Sequence, residues 1–329
     1  MREITQDIDW YSKAPLQELI AQSDTVCRKF YGNKVFVRGL IEATNYCTMN
    51  CEYCGIRRAN QKLKRYRMSE AEVLAIIDRG LTKGLQSFVL QGGVDPEYQG
   101  DKLVHLAETI RNTFGNKFAL TFSFGVLSYA TYRKLKTAGV NRYLLRFETA
   151  DAKLHKQLKG TKLSQRVQAL TALKELGYEV GTGFMTGLPG DSLEENLNLL
   201  AFLEPDMIGI GPFIPHPETP LKTTHCAGLV PVLRAVAASR IMFPRANIPA
   251  TTAVGTIERD GREQALKAGA NVVMPNIGSS NYKKLYELYP GKICIEEDGF
   301  SCIGSLHARI ASVGKELDFA RGDSLSWRE

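Results

Sequence analysis

The sequence has few cysteines and no long apolar run, and each shortage excludes a class of protein. Seven cysteines in 329 residues are too few for a small secreted domain held together by disulfides. The polar start, residues 1–10, carries no apolar signal segment. No apolar run approaches the roughly 20 residues that a membrane-spanning helix needs. We therefore expect a cytoplasmic protein with reduced thiols and no membrane partner.

The charge balance is modest and gives no indication of a nucleic-acid partner. The net charge is +7, with 44% hydrophobic and 23% charged residues, as in an ordinary globular chain. An RNA-modifying enzyme would usually show a stronger basic excess and an added binding domain. The most basic stretch, residues 57–67, holds six Lys or Arg residues. Its ordinary interpretation is a solvated face, and docking of a flavodoxin- or ferredoxin-type reductant is the functional alternative.

Three of the cysteines form the most informative pattern in the chain. Cys47, Cys51 and Cys54 stand at C-x3-C-x2-C spacing directly after the apolar stretch 35–41. A cubane cluster has four irons, each of which takes a thiolate in ferredoxin-type proteins. Structural zinc also takes four ligands, and no fourth Cys or His lies nearby. Three thiols in one loop therefore predict a [4Fe-4S] cluster with one iron left for a ligand that is not protein.

The fold class is predicted from a repeated unit of short apolar strand, loop and amphipathic helix. Eight such units predict an α/β chain with one full (βα)8 TIM barrel, and a partial six-strand barrel or an open doubly wound sheet is the alternative. The predicted strands are 35–42, 87–91, 118–125, 142–148, 179–186, 207–212, 248–253 and 271–275. The predicted units are a helical lead (1–33), the barrel (34–290) and a C-terminal extension packed on it (291–329).

Side-chain alternation predicts a polar barrel interior. In 118–125 the phenylalanines share one face and Thr121 lies on the other, while the next strand places Arg142, Arg146 and Glu148 on one face. The apolar faces must meet the outer helices. Buried charges need partners, so the arginines and the glutamate either pair with one another or bind an anionic ligand. We expect a wet, charged chamber.

The loops after the strands are expected to form the functional rim, because active sites in such barrels lie at the carboxyl ends of the strands. The cysteine loop shares this rim with Gln91, Gly92 and Gly93, and the two glycines let backbone approach a ligand closely. Met185 and the loop 209–213 follow later strands at the same end. Together these loops predict a site for a nucleoside joined to an amino acid.

Several strings across nearly the whole chain resemble the HydE family, the radical S-adenosylmethionine (SAM) maturases of [FeFe]-hydrogenase, which are relatives of biotin synthase and methylornithine synthase. They include Cys51-Glu-Tyr-Cys-Gly-Ile-Arg-Arg58, Val89-Leu-Gln-Gly-Gly93, Gly209-Ile-Gly-Pro-Phe-Ile-Pro-His216 and Asn247-Ile-Pro-Ala-Thr-Thr252. The cysteine loop alone identifies only the radical SAM superfamily. In that superfamily SAM chelates the open iron, and its reductive cleavage yields a 5'-deoxyadenosyl radical.

The resemblance implies a site residue by residue. Cys47, Cys51 and Cys54 would hold the [4Fe-4S] cluster. The predicted SAM-binding residues are Tyr53, Gln91, Gly92, Gly93, Arg146, Glu148, Arg166, Met185, Ile210 and Phe213, of which Arg146 and Glu148 are also the predicted catalytic pair. The predicted substrate-binding residues, deeper in the chamber, are Thr121, Arg142, Thr251, Thr252, Met274 and Tyr286. For Met274 and Tyr286, core packing is the alternative.

The resemblance implies that the protein acts with two other maturases in building the di-iron subcluster of the hydrogenase active site. The implied substrate is a small, anionic, cysteine-derived iron species. The alternative is a related enzyme that rearranges another small amino-acid-type substrate, as methylornithine synthase does. A simple electron carrier would need neither an open iron nor a polar chamber. Some departures, among them Val126 and Phe147 in place of expected polar residues, count against a full transfer. Val94 stands where many members of the superfamily carry an acidic residue. Some relatives bind a second cluster through three cysteines near the end of the chain, but here Ser305 follows Cys294 and Cys302 in place of the third cysteine. We therefore expect no stable second cluster.

Overall fold

The computed structural model describes residues 8–296 and 299–327. The strands are β1 Lys34–Val37, β2 Gly39–Thr44, β3 Ser87–Gly92, β4 Ala119–Ser123, β5 Arg142–Leu144, β6 Glu179–Thr182, β7 Met185–Thr186, β8 Met207–Ile208, β9 Gly211–Pro212, β10 Val272–Val273 and β11 Glu316–Asp318. The helices are α1 Ile8–Lys13, α2 Leu16–Tyr31, α3 Glu70–Thr82, α4 Gly100–Phe114, α5 Tyr129–Thr137, α6 Ala152–Lys159, α7 Leu163–Glu175, α8 Leu193–Leu203, α9 Val230–Met242, α10 Thr252–Ile257, α11 Gly261–Lys267, α12 Ser280–Lys283 and α13 Ser301–Ala311.

The parallel strands close into a ring. β2, β3, β4, β5, β6 and β8 are hydrogen-bonded in that order, and β1 pairs with β10. Isolated parallel bridges from Asn247 to Met207 and from Pro249 to Val272 fill the space between β8 and β10. The predicted full (βα)8 barrel is therefore confirmed, and the six-strand alternative is wrong. The seventh predicted strand is reduced to these bridges because Pro249 has no N–H for a ladder.

Two predicted strands break at glycines near their carboxyl ends. Strand 179–186 divides into β6 and β7, and strand 207–212 divides into β8 and β9. A Cβ on Gly183, whose φ is +151°, would lie 2.1 Å from the Gly209 carbonyl oxygen. The two backbones can therefore approach only without a side chain at Gly183. This approach places the rim residues Met185 and Gly211 next to each other, since they pair in register.

The aromatic faces of the strands pack outward, as predicted. Phe88, Phe118, Phe122 and Phe124 are fully or almost fully buried in the main apolar core. A Cβ on Gly80 of α3 would lie 2.5 Å from the Phe88 ring, which places that ring directly against an outer helix. Thr121 and Gln91, on the opposite faces of their strands, line the interior cavity. The predicted polar interior is thus present.

The C-terminal segment closes the amino end of the barrel. β11 pairs in parallel with β1, and the chain then crosses beneath the strands. The Gly322 carbonyl accepts hydrogen bonds from Arg38 and Asn247, and the Ser324 N–H donates to Glu179. No helix in the described residues is long and apolar enough to cross a membrane. The predicted unit boundaries at 33 and 290 stay a prediction.

Arg142 belongs to this closed end, which corrects its predicted place as a substrate anchor. It is the first residue of β5, its side chain is fully buried, and its Nε lies 2.5 Å from a Glu179 carboxylate oxygen. It also donates to Asp323, to the Ser87 hydroxyl and to the Arg321 carbonyl. Its Nε and both terminal nitrogens thus donate to groups of the protein, and it does not line the cavity described below.

Candidate functional site

A cavity of about 380 Å³ occupies the barrel interior and reaches the rim at the carboxyl ends of the strands. All three motif cysteines line it. So do most of the other predicted site residues: Tyr53, Gln91, Gly92, Gly93, Thr121, Arg146, Glu148, Arg166, Met185, Phe213, Thr251, Thr252, Met274 and Tyr286. The fold therefore brings together residues that lie between positions 47 and 286 of the chain, while their individual roles stay predictions.

Ile210 is the second correction. Its side chain is fully buried in the apolar core between sheet and helices, whereas Gly209 and Gly211 line the cavity. Alternation along an extended segment sends neighbouring side chains to opposite faces, so Ile210 cannot present its side chain to SAM. Phe213 lines the cavity instead.

The cysteine loop is held by hydrogen bonds to its own backbone and to the loop after β3. Arg65 donates to the carbonyl oxygens of Asn45, Ile56, Arg57 and Asn60. One side chain thus links the backbone before the three cysteines to the backbone after them. The Val94 N–H donates to Cys47 Sγ at 3.4 Å. Arg57 is also buried and donates to Asn50, so Arg57 and Arg65 serve the loop, whereas Arg67 is exposed and pairs with Asp95.

Gly93 is required by this packing. A Cβ there would lie 2.0 Å from the Tyr46 carbonyl oxygen and 2.7 Å from Cys47 Cβ, closer than real Cβ contacts. The next acidic residue along the chain, Asp95, is fully buried and accepts hydrogen bonds from Thr44 and Arg67. The Gly-Gly pair therefore allows the loops after β2 and β3 to pack together, in addition to any contact with a ligand.

The three motif thiols suit an iron-sulfur cluster. All three are free cysteines. Burial, followed by repulsion from its two fellow thiolates, raises the pKa of Cys54 to about 12, and burial also raises the pKa of Cys47. Positively charged irons would favour the deprotonated form of these thiols, which is the form that binds metal. Within residues 8–296 and 299–327, no three Cys, His, Asp or Glu side chains form a group that could hold a metal ion. The cluster makes a different demand on its ligands, because each thiolate of a cubane binds a different iron.

Glu148 lies at the end of the fourth predicted strand in a strained conformation. Its φ is +72°, a region that residues with side chains rarely adopt. Two hydrogen bonds hold it there, from the Glu148 N–H to the Gly183 carbonyl and from the Met185 N–H to the Glu148 carbonyl. Strain of this kind is typical of functional sites. The carboxylate pairs with Arg146 at 2.7 Å.

Three cations surround this carboxylate. Burial raises the pKa of Glu148, but Arg146, Lys159 and Arg166 together outweigh it, so the pKa lies below its ordinary value. Among the described residues, the Nε atoms of Arg146 and Arg166 are buried with no hydrogen-bond partner. Guanidinium groups with unused donors suit a carboxylate ligand. The arrangement can therefore bind a zwitterionic amino-acid end.

Lys159 was missed in the sequence, although it ends the helix that follows Glu148. Its side chain is 7% exposed, its Nζ donates to the Tyr53 hydroxyl at 2.7 Å, and Glu148 lies 4.0 Å away. Tyr53 packs against a small apolar cluster formed by Leu158, Met185, Leu188 and Phe213. This cluster gives the rim an apolar face beside the charged one, as a nucleoside needs.

The cavity as a whole, at the rim and below it, carries a positive excess. The described residues that line it include seven basic side chains, at 38, 146, 159, 166, 262, 283 and 292, but only two acidic ones, Glu42 and Glu148. Glu42 is paired with Lys292 at 2.5 Å. Sequence reasoning missed Arg38 and Glu42, although alternation along the first strand puts them on one face. Such a lining favours an anionic ligand.

Comparison with known proteins agrees with this geometry. The radical SAM superfamily model matches residues 41–203. The chain is 44% identical over 304 residues to the [FeFe] hydrogenase maturase subunit HydE of Thermotoga maritima, covering 91% of this chain and 86% of that protein. It is 30% identical to 3-methylornithine synthase of Methanosarcina acetivorans, covering 80% and 75%. The crystal structure of methylornithine synthase (PylB) superposes with a TM-score of 0.81 at 27% identity, covering 95% and 93%. The chain therefore belongs to the radical SAM superfamily and, within it, to the HydE family, and it is an enzyme whose cofactors are a [4Fe-4S] cluster and SAM.

Proposed function

We propose that this enzyme acts in assembly of the [FeFe]-hydrogenase active-site cluster, on a small, anionic, cysteine-derived and iron-bound substrate. The observation that carries this proposal is the cation-rich chamber, which is closed below by the C-terminal segment and opens at the cysteine loop. A polymeric substrate could not enter such a space. The kinship with HydE supplies the reaction context. The proposed location is the cytoplasm, alongside the other hydrogenase maturases.

At the rim, Cys47, Cys51 and Cys54 would hold the cluster. Arg146 and Arg166 would bind the SAM carboxylate in a forked arrangement, and Glu148 would accept hydrogen bonds from its ammonium or ribose hydroxyl groups. Tyr53, Met185 and Phe213 would pack against the adenine, and Gln91, Gly92 and Gly93 would border the amino-acid end. When bound, the cluster would supply the electron that cleaves SAM to the 5'-deoxyadenosyl radical.

In the chamber, Arg38 replaces Arg142 as the proposed anchor of the substrate anion. Arg38 lines the cavity and, within the described part of the chain, its Nε has no hydrogen-bond partner. The Thr121 and Thr251 hydroxyls are likewise unpaired among the described residues. Thr252, Met274 and Tyr286 complete the proposed substrate contacts. Arg38, Thr121 and Thr251 all line one cavity, and their unpaired polar groups favour an oxyanion ligand there, because a buried polar group without a partner costs free energy.

The reductant would be a flavodoxin- or ferredoxin-type protein. In the basic stretch 57–67, Arg58, Lys62 and Lys64 are exposed beside the cysteine loop. This patch is smaller than the sequence suggested, since Arg57 and Arg65 donate to groups of the cysteine loop and the exposed Arg67 is paired with Asp95. An acidic partner would therefore meet a narrow basic edge.

A second candidate is rearrangement of another small amino-acid-type substrate. The close structural likeness to methylornithine synthase favours it, because that likeness extends over nearly the whole barrel. Substrate charge separates the candidates. Lysine, an isomer of 3-methylornithine, serves as the probe for this candidate. Because its side chain carries an ammonium group, a chamber with this positive excess would bind it less tightly than an anionic iron complex.

The test begins with anaerobic reconstitution. Wild-type protein should bind about four irons, and Cys51→Ala should lose the cluster, while Cys226→Ala, outside the motif, should retain it. The rate of 5'-deoxyadenosine formation from SAM and dithionite is then measured with a cysteine-bound iron carbonyl-cyanide complex or with lysine. Acceleration by the iron complex alone supports the proposal. Acceleration by lysine alone supports the second candidate.

A further inference from the structure

Lys159 is buried beside the cysteine loop, although it belongs neither to the cluster motif nor to the predicted SAM-binding residues. It is the last residue of α6, and that end of the helix is fixed to the cysteine loop because the Glu52 N–H donates to the Leu158 carbonyl at 2.8 Å. The Lys159 side chain is buried. A long cation held inside a protein without a tight ion pair costs free energy, so its retention calls for a reason.

The contacts of Lys159 point toward the cysteine loop. Its Nζ donates to the hydroxyl of Tyr53 at 2.7 Å and lies 5.3 Å from the centre of that ring. Tyr53 stands between Cys51 and Cys54 in the chain. Glu148 is 4.0 Å from Nζ, whereas it pairs with Arg146 at 2.7 Å. The charge of Lys159 is therefore only partly compensated by Glu148.

Lys159 and the three thiols also share one cavity. Lys159 lines it together with Cys47, Cys51 and Cys54. Arg65 also lies beside the cysteine loop, but it donates to backbone carbonyls, so its place is explained by the structure of the loop.

We propose that Lys159 sets the reduction potential of the cluster held by Cys47, Cys51 and Cys54, and this inference rests on that proposed cluster site. One electron from the external reductant takes the cluster from the 2+ to the 1+ state and adds one negative charge. A buried ammonium group stabilises the more negative state more strongly, since Coulomb energies grow as the local dielectric falls. Net charge around a cluster is a known lever on its potential. The cluster is therefore easier to reduce with Lys159 than without it.

The test measures the midpoint potential of reconstituted protein, without SAM, by spectroscopic titration with dithionite. Lys159→Met keeps the length of the side chain and removes its charge, and Lys159→Arg keeps the charge. Lys156→Met is the matched control, because Lys156 lies on the same helix and is exposed. We expect a more negative midpoint in Lys159→Met, and midpoints close to wild type in the other two variants.

Iron content is measured first, because it separates two kinds of failure. If Cys51→Ala retains four irons, the proposed cluster site is wrong. If Lys159→Met retains four irons with an unchanged midpoint, only the role of Lys159 is overturned. Loss of iron in Lys159→Met and in Lys159→Gln alike would assign Lys159 to construction of the loop, and would also overturn the proposal.

Discussion

Arg142 and Glu179 form a fully buried ion pair, with Arg142 Nε 2.5 Å from the carboxylate, at the amino ends of β5 and β6. Asp323 of the C-terminal segment lies 2.7 Å from the same guanidinium group. The pair and the segment close the chamber at the end opposite the cysteine loop. Two inward-facing arginines four residues apart thus differ in role. Arg142 lies at the floor and stabilises the closed end, whereas Arg146 lies at the rim beside Glu148.

The first prediction is that Arg142→Met destabilises the fold. It leaves Glu179 buried with one distant cation, Arg38 at 3.7 Å, and breaking a buried pair costs about 3–5 kcal/mol. The free energy of unfolding, measured by denaturant titration, should fall by this order. Lys102→Met, which breaks an exposed pair with Glu97, should change it little. Unchanged stability together with a lost response to substrate would restore Arg142 as an anchor.

The second prediction assigns that anchor to Arg38. Arg38→Met should raise the substrate concentration needed for half-maximal 5'-deoxyadenosine formation by about tenfold or more, because a hydrogen bond to a charged group contributes about 1.5–3 kcal/mol. SAM affinity should stay as in wild type. Lys34→Met, an exposed change on the preceding strand β1, is the control. An equal loss of SAM affinity in Arg38→Met would contradict a role confined to the chamber.

The third prediction uses the strain at Glu148. Glu148→Gly and Glu148→Ala both remove the carboxylate and should both weaken SAM binding. In an ordinary strand glycine is less stable than alanine, but a φ of +72° reverses this order, and the glycine variant should be more stable by about 1 kcal/mol. Denaturant titration of the two variants measures the difference. Equal stabilities would mean that the backbone relaxes and stores no strain.

Local sequence patterns predicted the strands and their inner faces better than they predicted whether a side chain lies at the floor or at the rim of the barrel. Alternation placed Thr121, Arg142 and Arg146 on the inner face because side-chain period is a property of the strand itself. The partners of Arg142 could not be predicted, since Asp323 comes from a segment about 180 residues away. No local pattern reveals which segment covers the end of a barrel.

The site was predictable where one loop carries the chemistry and less so where several elements meet. The cysteine spacing is local, and the three thiols line the cavity. Ile210 was assigned to SAM binding from the family resemblance, whereas alternation along this segment directs its side chain into the apolar core. Lys159 was missed because a single lysine at a helix end is usually solvated, and only the fold brings it to Tyr53.

The fourth prediction concerns acid stability and His155. His155 is fully buried on α6, its Nδ1 lies 2.9 Å from the Phe147 carbonyl, and within the described residues its Nε2 has no hydrogen-bond partner. Burial is the largest cause that lowers its pKa, to about 4, from an ordinary value of 6.5. The unfolded chain therefore binds a proton between these values that the folded chain does not, so stability falls as the pH drops from 6.5 to 4.

The loss expected from this one group is on the order of 3 kcal/mol across that window. Asp191, whose pKa burial raises to about 6, works in the opposite sense, because its folded form binds the extra proton. Comparison with His155→Asn cancels that contribution, since Asp191 is present in both proteins. Free energies of unfolding at pH 7, 6, 5 and 4 should fall more steeply for wild type than for His155→Asn. Parallel curves would show that His155 takes up a proton in the folded protein as readily as in the unfolded chain, and the buried, neutral imidazole would then be the wrong description.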